Sequence, residues 1–320
     1  MLKRKVLLNQ LKGIRGGVNP MEFCYVYQKK KPQQVKFFLK EQGISKGLLA
    51  KIKFQGGKIF VNERVENVLY PLKTEDKIRV IVPDEGSHES LLPDDTPIAI
   101  VYEDEHLLVV NKPAGIPSIP AQYHPNGTMA NRVKAYYQKQ GYKDQVIHVV
   151  TRLDRDTSGL MLFARHGFAH ALLDKELYKK KLHKKYQAII SGNLSTLESH
   201  DLIKLPILRD PSSIIKRQTG FNGKSAETEY WLKQHNEEFA IVDIQLHTGR
   251  THQIRVHFSA IGFPLVGDEL YSGVMTDSIQ RQALHCAKLE FIHPFTKEKL
   301  YFKQELPHDM KELEQMIEMR

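Results

Sequence analysis

The chain has 320 residues, of which 41% are hydrophobic and 26% are charged, as in an ordinary globular protein. This length is enough for two domains, and the sequence contains neither internal repeats nor an extended low-complexity tract. The chain carries 47 basic and 37 acidic residues, and its net charge of +10 favours a polyanionic partner such as nucleic acid.

The two cysteines, Cys24 and Cys286, are far apart in the sequence. They provide neither a disulfide framework nor a Cys-x-x-Cys zinc site, so we expect a protein of the reducing cytoplasm. No apolar run approaches the length of a membrane span, and no membrane partner is predicted.

Residues 1–31 are predicted to be a basic N-terminal extension. The first twenty residues contain several basic side chains but no continuous apolar core, so a signal peptide is not expected. Met21 begins a more ordinary N-terminus. Residues 1–20 are therefore expected to be either a disordered tail or the product of an upstream start, and the sequence leaves both open.

Residues 32–83 predict a small α/β module. Apolar residues share one face of a helix over 33–42, and Ser45 can cap a second helix. After Gly56 and Gly57 the pattern changes to the alternation of a strand, and another strand is predicted over 77–82. The order resembles the S-four-like RNA-binding domain, which implies RNA contacts for four lysines: Lys46, Lys51, Lys53 and Lys58. The alternative is an accessory domain whose lysines face water.

Residues 84–97 are polar, acidic and rich in turn formers, which predicts a mobile linker. Residues 98–307 form the second predicted domain, and residues 308–320 a short charged helix. Helical patterns occur at 127–140 and 167–179. Strand patterns are more numerous, at 98–103, 107–111, 160–164, 185–191, 226–233, 239–247, 286–292 and 299–304. Because strands and helices do not alternate regularly, we predict an α+β fold with a mixed, mostly antiparallel sheet.

The run from Arg152 to Gly159 reads Arg-Leu-Asp-Arg-Asp-Thr-Ser-Gly and lies between two apolar strand-like runs. It places Asp154 among cations and hydroxyl groups, which favour an ionised carboxylate. An aspartate in a loop is usually a turn or capping residue. Here Asp156 and the Thr-Ser-Gly sequence can serve those purposes, which leaves Asp154 available for chemistry.

The pattern Arg-Leu-Asp-x-x-Thr-Ser-Gly resembles the catalytic motif of the RluA-type pseudouridine synthases, which convert uridine to pseudouridine inside RNA. The resemblance implies that Asp154 is the nucleophile. It also implies that Arg152 helps to extrude the target base, which is otherwise buried in a stacked helix. The family commonly has His where this chain has Thr151, so one supporting contact is in doubt. The preceding Asn111–Gly115 turn matches the start of the family's catalytic domain, and we interpret it as structural.

Two further segments, around Tyr186 and around Leu284, continue the resemblance. Tyr186 stands in the family's basic-Tyr-x-Ala pattern, which implies that it covers the uracil ring and is a candidate for removing the C5 proton. The alternative for a tyrosine at a strand start is packing. In the closing motif, from Gln282 to Pro294, Leu284 is implied to pack against the base. A His285–Cys286 nucleophile pair is rejected, because adjacent strand residues point to opposite faces.

The run from His247 to His257 contains Thr-Gly-Arg-x-His-Gln-Ile-Arg. Its three histidines are spaced by five, which matches no usual zinc pattern, so no metal site is predicted. In the RluA-type pattern Arg255 pairs with the catalytic aspartate, and its planar fork can hold a carboxylate bidentately. Three other residues of the run are implied to be scaffold or RNA contacts: Arg250, His252 and Gln253. The signature continues as Gly-x-Pro-x-x-Gly-Asp-x-x-Tyr from Gly262 to Tyr271, which we interpret as a structured loop beside the site.

The sequence therefore predicts an RNA pseudouridine synthase that needs no cofactor and acts as a monomer on structured ribosomal or transfer RNA. Asp154 could attack the anomeric carbon, add to the uracil ring, or remove a sugar proton to give a glycal. Two other functions are considered. One is a catalytically silent RNA-binding or ribosome-assembly factor of the same fold. The other is a glycoside hydrolase that pairs Asp154 with a second carboxylate such as Asp156.

Overall fold

A computed structural model describes residues 21–86 and 89–319. The predicted tail or upstream start at 1–20 lies outside the described residues. Both helices predicted in the small module are confirmed, and the Ser45 Oγ caps the second by accepting the Leu48 N–H at 3.1 Å. The elements of the module are β1 (Glu22–Val26), β2 (Gln33–Gln34), α1 (Val35–Glu41), α2 (Lys46–Phe54), β3 (Lys58–Val61), β4 (Arg64–Val65), β5 (Pro71–Leu72) and β6 (Lys77–Ile81).

The small module has a four-stranded sheet in the order β1-β6-β3-β4. Strand β1 lies inside the predicted N-terminal extension and pairs antiparallel with β6, so that Phe23 faces Val80 across the ladder. The partner of β1 is more than fifty residues away along the chain. No local pattern therefore indicated that residues 22–26 belong to this sheet.

The second part of the chain confirms the predicted α+β class. Its ten-stranded sheet runs β12-β15-β16-β11-β17-β10-β8-β7, with β18 on β17 and β9 on β10. Among the described strands of this sheet, only the β10–β17 pairing is parallel. Helix α5 and the strands β12 to β14 were not predicted. The elements are β7 (Ala99–Glu103), β8 (Leu107–Lys112), α3 (Met129–Lys139), β9 (His148–Val149), β10 (Ser158–Ala164), α4 (Gly167–Tyr178), β11 (His183–Ser191), β12 (His200–Ile203), β13 (Ile207–Arg209), β14 (Arg217–Thr219), β15 (Thr228–His235), β16 (Phe239–Leu246), α5 (Gln253–Ala260), β17 (Leu284–Ile292), β18 (Lys299–Lys303) and α6 (His308–Glu318).

Strand β10, which follows the Asp154 motif, is buried along its whole length. Met161 and Phe163 pack in one cluster with Met129 and Val133 of α3. Leu160 and Leu162 face the opposite cluster, to which α4 contributes. Because both faces of this strand are covered, the motif ends in a well-packed part of the sheet.

The linker predicted to be mobile is instead bonded to the second domain. The carboxylate of Glu85 lies 2.6 Å from His148 Nε2 and accepts the Gly167 N–H at 3.1 Å. Farther along, Asp94 forms an ion pair with Arg132 at 3.4 Å. The small module also touches the second domain directly, since Phe23 meets Phe168 of α4 edge to face at 4.9 Å. Composition indicated a polar linker, but not that its acidic side chains have partners.

His166, beneath this contact, should make stability depend on pH. Burial, together with neighbouring His106, lowers its pKa from 6.5 to about 3. Below pH 6.5 the unfolded chain binds a proton that the folded chain excludes, so stability is lost as pH falls. The loss by pH 5 should be about 2 kcal/mol. His166→Asn can still cap α4, where His166 Nδ1 accepts the Ala169 N–H. Urea unfolding at pH 7.5 and pH 5 should show a weaker pH dependence for this variant, and equal dependences would contradict the assignment.

No helix of the described ranges, 21–86 and 89–319, is long and apolar enough to cross a bilayer.

Candidate active site

Asp154 lies in the loop that leads into β10, and its side chain is about one-third exposed. The loop ends where β10 meets β17 in parallel, with Gly159 opposite Cys286. Gly159 has a φ of +115°, and a Cβ there would lie 2.4 Å from the Cys286 carbonyl oxygen. The glycine of the motif is therefore required by the close approach of these two backbones.

Backbone contacts hold the loop on both sides of Asp154. The Ser118 hydroxyl donates to the Leu153 carbonyl at 2.6 Å and accepts the Leu153 N–H at 2.9 Å. The buried Lys112 ammonium donates to the Arg155 carbonyl at 2.7 Å. It also donates to two carbonyls of its own turn, those of Pro113 and Ile116. The Asn111–Gly115 turn thus supports the Asp154 loop, in keeping with the structural role interpreted from the sequence.

Arg255 projects from α5 and is almost completely buried. Its Nε and Nη2 bind the carboxylate of Asp268 bidentately, at 2.7 and 2.8 Å, whereas its Nη1 lies 3.8 Å from the Asp154 Oδ2. The resemblance to the RluA-type pattern predicts that the guanidinium fork holds Asp154. In the structure Arg255 lies beside Asp154, but the two nitrogens of its fork, Nε and Nη2, bind Asp268 instead. The interaction with Asp154 is therefore a longer ion pair from the remaining nitrogen.

His252 and Gln253 form the turn that begins α5. His252 has a left-handed backbone with φ of 56°, which is uncommon for a residue other than glycine, and its Nδ1 lies 3.0 Å from the Tyr271 hydroxyl. The Gln253 amide donates to the Glu227 carbonyl and the Thr228 hydroxyl. Its oxygen accepts from the Thr248 hydroxyl and the Arg250 N–H. These contacts favour the scaffold alternative for Gln253.

Tyr186 lies on β11 directly after a register shift between β11 and β17. Such a bulge redirects a side chain, and bulges are common beside active sites. Its ring is buried, and burial raises the pKa of Tyr186 well above its usual value, so the phenol is neutral at pH 7. Burial also raises the pKa of the neighbouring Cys286 thiol to about 11, which argues against a thiolate nucleophile.

A cleft of about 690 Å³ brings these segments together. Arg152 is exposed at the cleft and Leu284 is buried in its wall. All the predicted catalytic and base-contacting residues line it: Arg152, Asp154, Tyr186, Arg250, His252, Gln253, Arg255 and Leu284. The four lysines of the small module for which RNA contacts are predicted do not line the cleft: Lys46, Lys51, Lys53 and Lys58. They are exposed on α2 and β3.

The three histidines of the 247–257 run face different partners. His247 Nε2 lies 2.8 Å from Glu229, and His252 faces Tyr271. The ring of His257 lies between the Thr228 hydroxyl and the Leu205 carbonyl. The rings do not converge on a common point.

Asp268 and Ser118 are the site residues to which the sequence analysis assigned no role. Asp268 stands in the quoted Gly-Asp-x-x-Tyr signature, so its motif was visible, but nothing local marked it as the partner of Arg255. Ser118 lies outside every quoted motif, and its contact with Leu153 spans 35 residues. Only the folded chain shows either contact.

The fold and the cleft define a basic α+β protein in which a partly exposed aspartate lies beside a buried arginine. The family model of RNA pseudouridylate synthase matches residues 106–260. The uncharacterized RNA pseudouridine synthase YjbO of Bacillus subtilis is 44% identical over 279 residues, which cover 87% of this chain and 97% of the relative. Ribosomal large subunit pseudouridine synthase D of Buchnera aphidicola is 35% identical and covers 80% of this chain and 84% of its own length.

A solved human structure, RNA pseudouridylate synthase domain containing 4, shares the fold. It has a TM-score of 0.57 and 22% identity, and covers 69% of this chain and 93% of the human one. The chain belongs to the RluA-type RNA pseudouridine synthases, enzymes that isomerise uridine in RNA. This membership confirms the resemblance found in the motifs.

Proposed function

We propose that this protein isomerises uridine to pseudouridine in structured ribosomal or transfer RNA, with Asp154 as the nucleophile. One observation carries the proposal. Asp154, Tyr186, Arg255 and Leu284 come from distant segments, yet all line one cleft. Ribosomal RNA is the favoured substrate, because a relative that covers most of the chain is named for the large ribosomal subunit.

The residues have separate roles in this proposal. The exposed Arg152 enters the RNA helix and helps to turn the uridine out, while Tyr186 and Leu284 hold the base. Asp154 then attacks the anomeric carbon, adds to the ring, or takes a sugar proton. The bond between the ribose and the uracil N1 breaks, the base turns within the site, and its C5 forms the new bond to the ribose. The C5 proton is then removed, and N1 gains a proton. Arg255 stabilises the negative charge of Asp154, and Asp268 fixes the direction of Arg255.

Tyr186→Phe separates stacking from proton transfer, because it keeps the ring and removes the hydroxyl. A neutral phenol can accept the C5 proton only while it passes its own proton on. Removing the hydroxyl should lower the single-turnover rate by about 10²-fold, and RNA affinity should stay within about twofold. Rapid-quench assays and filter binding measure the two quantities. A variant with the wild-type rate would leave Tyr186 only a stacking role.

The small module is proposed to be an S-four-like RNA-binding domain. Lys46, Lys51, Lys53 and Lys58 are all exposed. Replacing the four by Gln should weaken binding and lower the slope of log Kd against log salt by up to about 3, because each phosphate contact contributes roughly 0.7–0.9.

A matched control removes the same charge from lysines that already pair with carboxylates: Lys139, Lys233, Lys299 and Lys311. This control should leave the slope close to that of the wild type. If both quadruple variants lower the slope equally, the module has no special part in binding RNA.

The function itself is tested by mapping pseudouridines in cellular RNA with and without the gene. We expect at least one uridine to lose its modification without the gene and to regain it with the wild-type protein, but not with Asp154→Asn. Identical maps, with no activity of the purified protein on ribosomal or transfer RNA, would favour the silent RNA-binding factor.

A glycoside hydrolase is less well supported by the geometry. Such an enzyme needs a second carboxyl group facing the same bond as Asp154. The Asp156 carboxylate instead pairs with Arg155 at 2.9 Å, and Asp268 is bound by Arg255. A monomer in the cytoplasm remains part of the proposal, and the two free cysteines support that location.

A further inference from the structure

The loop that carries Asp154 is also connected to the C-terminal helix α6. Arg281, just before β17, donates from Nη1 to the Asp156 carbonyl at 3.1 Å. Its Nε and Nη2 bind the Asp309 carboxylate at 2.7 and 2.9 Å, and Asp309 lies in the first turn of α6. Arg281 and Asp309 both lie outside the part of the chain that the family model matches, residues 106–260.

The geometry of a guanidinium explains what this chain of contacts does. Its donors form a rigid planar fork, so a carboxylate that binds two of them also fixes the direction of the third nitrogen. Asp309 therefore aims Nη1 of Arg281 at the peptide two residues after Asp154. That nitrogen also lies 3.0 Å from the carbonyl of Gln282, which shortly precedes β17. It therefore connects the segment before β17 to the loop.

The orientation of this peptide affects Asp154 directly. The Thr157 N–H, which belongs to the same peptide unit as the Asp156 carbonyl, donates to the Asp154 carbonyl at 3.2 Å. The peptide before it is held separately, by Lys112 at the Arg155 carbonyl. Rotation of the 156–157 peptide would break the turn that closes behind Asp154 and would shift its carboxylate in the cleft.

We propose that Arg281 and Asp309 form a positioning pair that sets the Asp154 loop from the C-terminal helix, a role that rests on the proposed function. Neither residue lines the cleft, so the pair acts through backbone contacts. The main one is with the loop, and a longer one, of 3.5 Å, joins Nη1 of Arg281 to the Leu284 carbonyl. Its loss should slow the chemical step and leave RNA binding unchanged.

Helix α6 has a second, apolar attachment that makes the proposal testable. Met310, Leu313 and Ile317 are buried in a cluster with β11 and β16 residues. This packing remains when Asp309 is changed. Glu314, on the same helix, forms a separate ion pair with Lys233 of β15 at 3.3 Å, so Glu314→Gln is a matched control that never touches the loop.

The experiment compares Asp309→Asn, Arg281→Met, the double variant and Glu314→Gln in the full chain. Asparagine is chosen because its oxygen can still accept the Met310 N–H that Asp309 accepts. Single-turnover rates on ribosomal RNA should fall about 10-fold to 100-fold in the first two variants, because a displacement of about 1 Å can cost that much. The double variant should be no slower than Arg281→Met, since the two residues act as one unit. Glu314→Gln should react like the wild type.

RNA Kd and exchange of the Thr157 amide complete the test. We expect unchanged Kd and faster exchange at Thr157 in Asp309→Asn and Arg281→Met. Wild-type rates in these variants, or losses matched by weaker RNA binding, would overturn the positioning role. If Asp154→Asn is inactive while Asp309→Asn is not impaired, only this inference fails. If the wild-type protein forms no pseudouridine, the proposed function fails, and unchanged Thr157 exchange would then overturn the loop contact independently.

Discussion

Asp154→Asn is expected to lower pseudouridine formation by at least about 10⁴-fold, since the amide is neither a nucleophile nor a base. The substitution preserves the size of the side chain, and the loop is held by contacts of its neighbours, Leu153 and Arg155. The fold and the RNA affinity should therefore remain close to those of the wild type. The measurements are single-turnover isomerisation, RNA binding and the urea midpoint.

Asp156→Asn is the matched control, because it changes the other aspartate of the same loop. The Asp156 carboxylate pairs with the exposed Arg155 at 2.9 Å and is not among the residues that line the cleft. We expect its rate to stay within about tenfold of the wild type, as for a weak surface ion pair. A wild-type rate in Asp154→Asn would remove this residue from the mechanism, and equal losses in both variants would point to a damaged loop.

Arg255→Lys should have the second-largest effect, a loss of roughly 10²-fold to 10³-fold in the single-turnover rate. A lysine keeps the charge, but it cannot bind Asp268 with two nitrogens and present a third to Asp154. The ammonium is expected to stay with the fully buried Asp268, which leaves Asp154 without its cation. RNA affinity should change little, because the residue is buried.

Asp268→Asn tests the other half of this arrangement. It leaves the Arg255 charge buried without its bidentate partner, which should cost about 3–5 kcal/mol of folding stability. Arg255 would also lose its fixed direction, so the rate should fall in this variant as well. If Arg255→Lys turned over at the wild-type rate, or if Asp268→Asn affected stability alone, Arg255 would have no role in orienting or stabilising Asp154.

Much of the site was predictable because the motifs are short and continuous. The Arg152–Gly159 run and the 247–257 run contain six of the eight predicted cleft residues, and their residue types indicate the chemistry directly. The two helices of the small module were predictable for a similar reason, since period and capping are local properties.

Helix α5 shows where local patterns were insufficient. It begins at a left-handed His252 without a side-chain cap, and it buries polar residues such as Gln253 and Arg255. Neither its start nor its apolar face resembles those of a typical amphipathic helix. Packing and buried hydrogen bonds, rather than propensity, make this segment helical.

The amino-acid order alone predicted the family, the α+β class and the residues that line the cleft, because those depend on which side chains follow one another. It did not identify which carboxylate occupies the fork of Arg255, how the linker docks, or that Arg281 joins α6 to the Asp154 loop. These contacts link residues separated by 13 to 125 positions. Such pairs are set by the order of strands in the sheet and by the packing of helices against it, which no local stretch of sequence encodes.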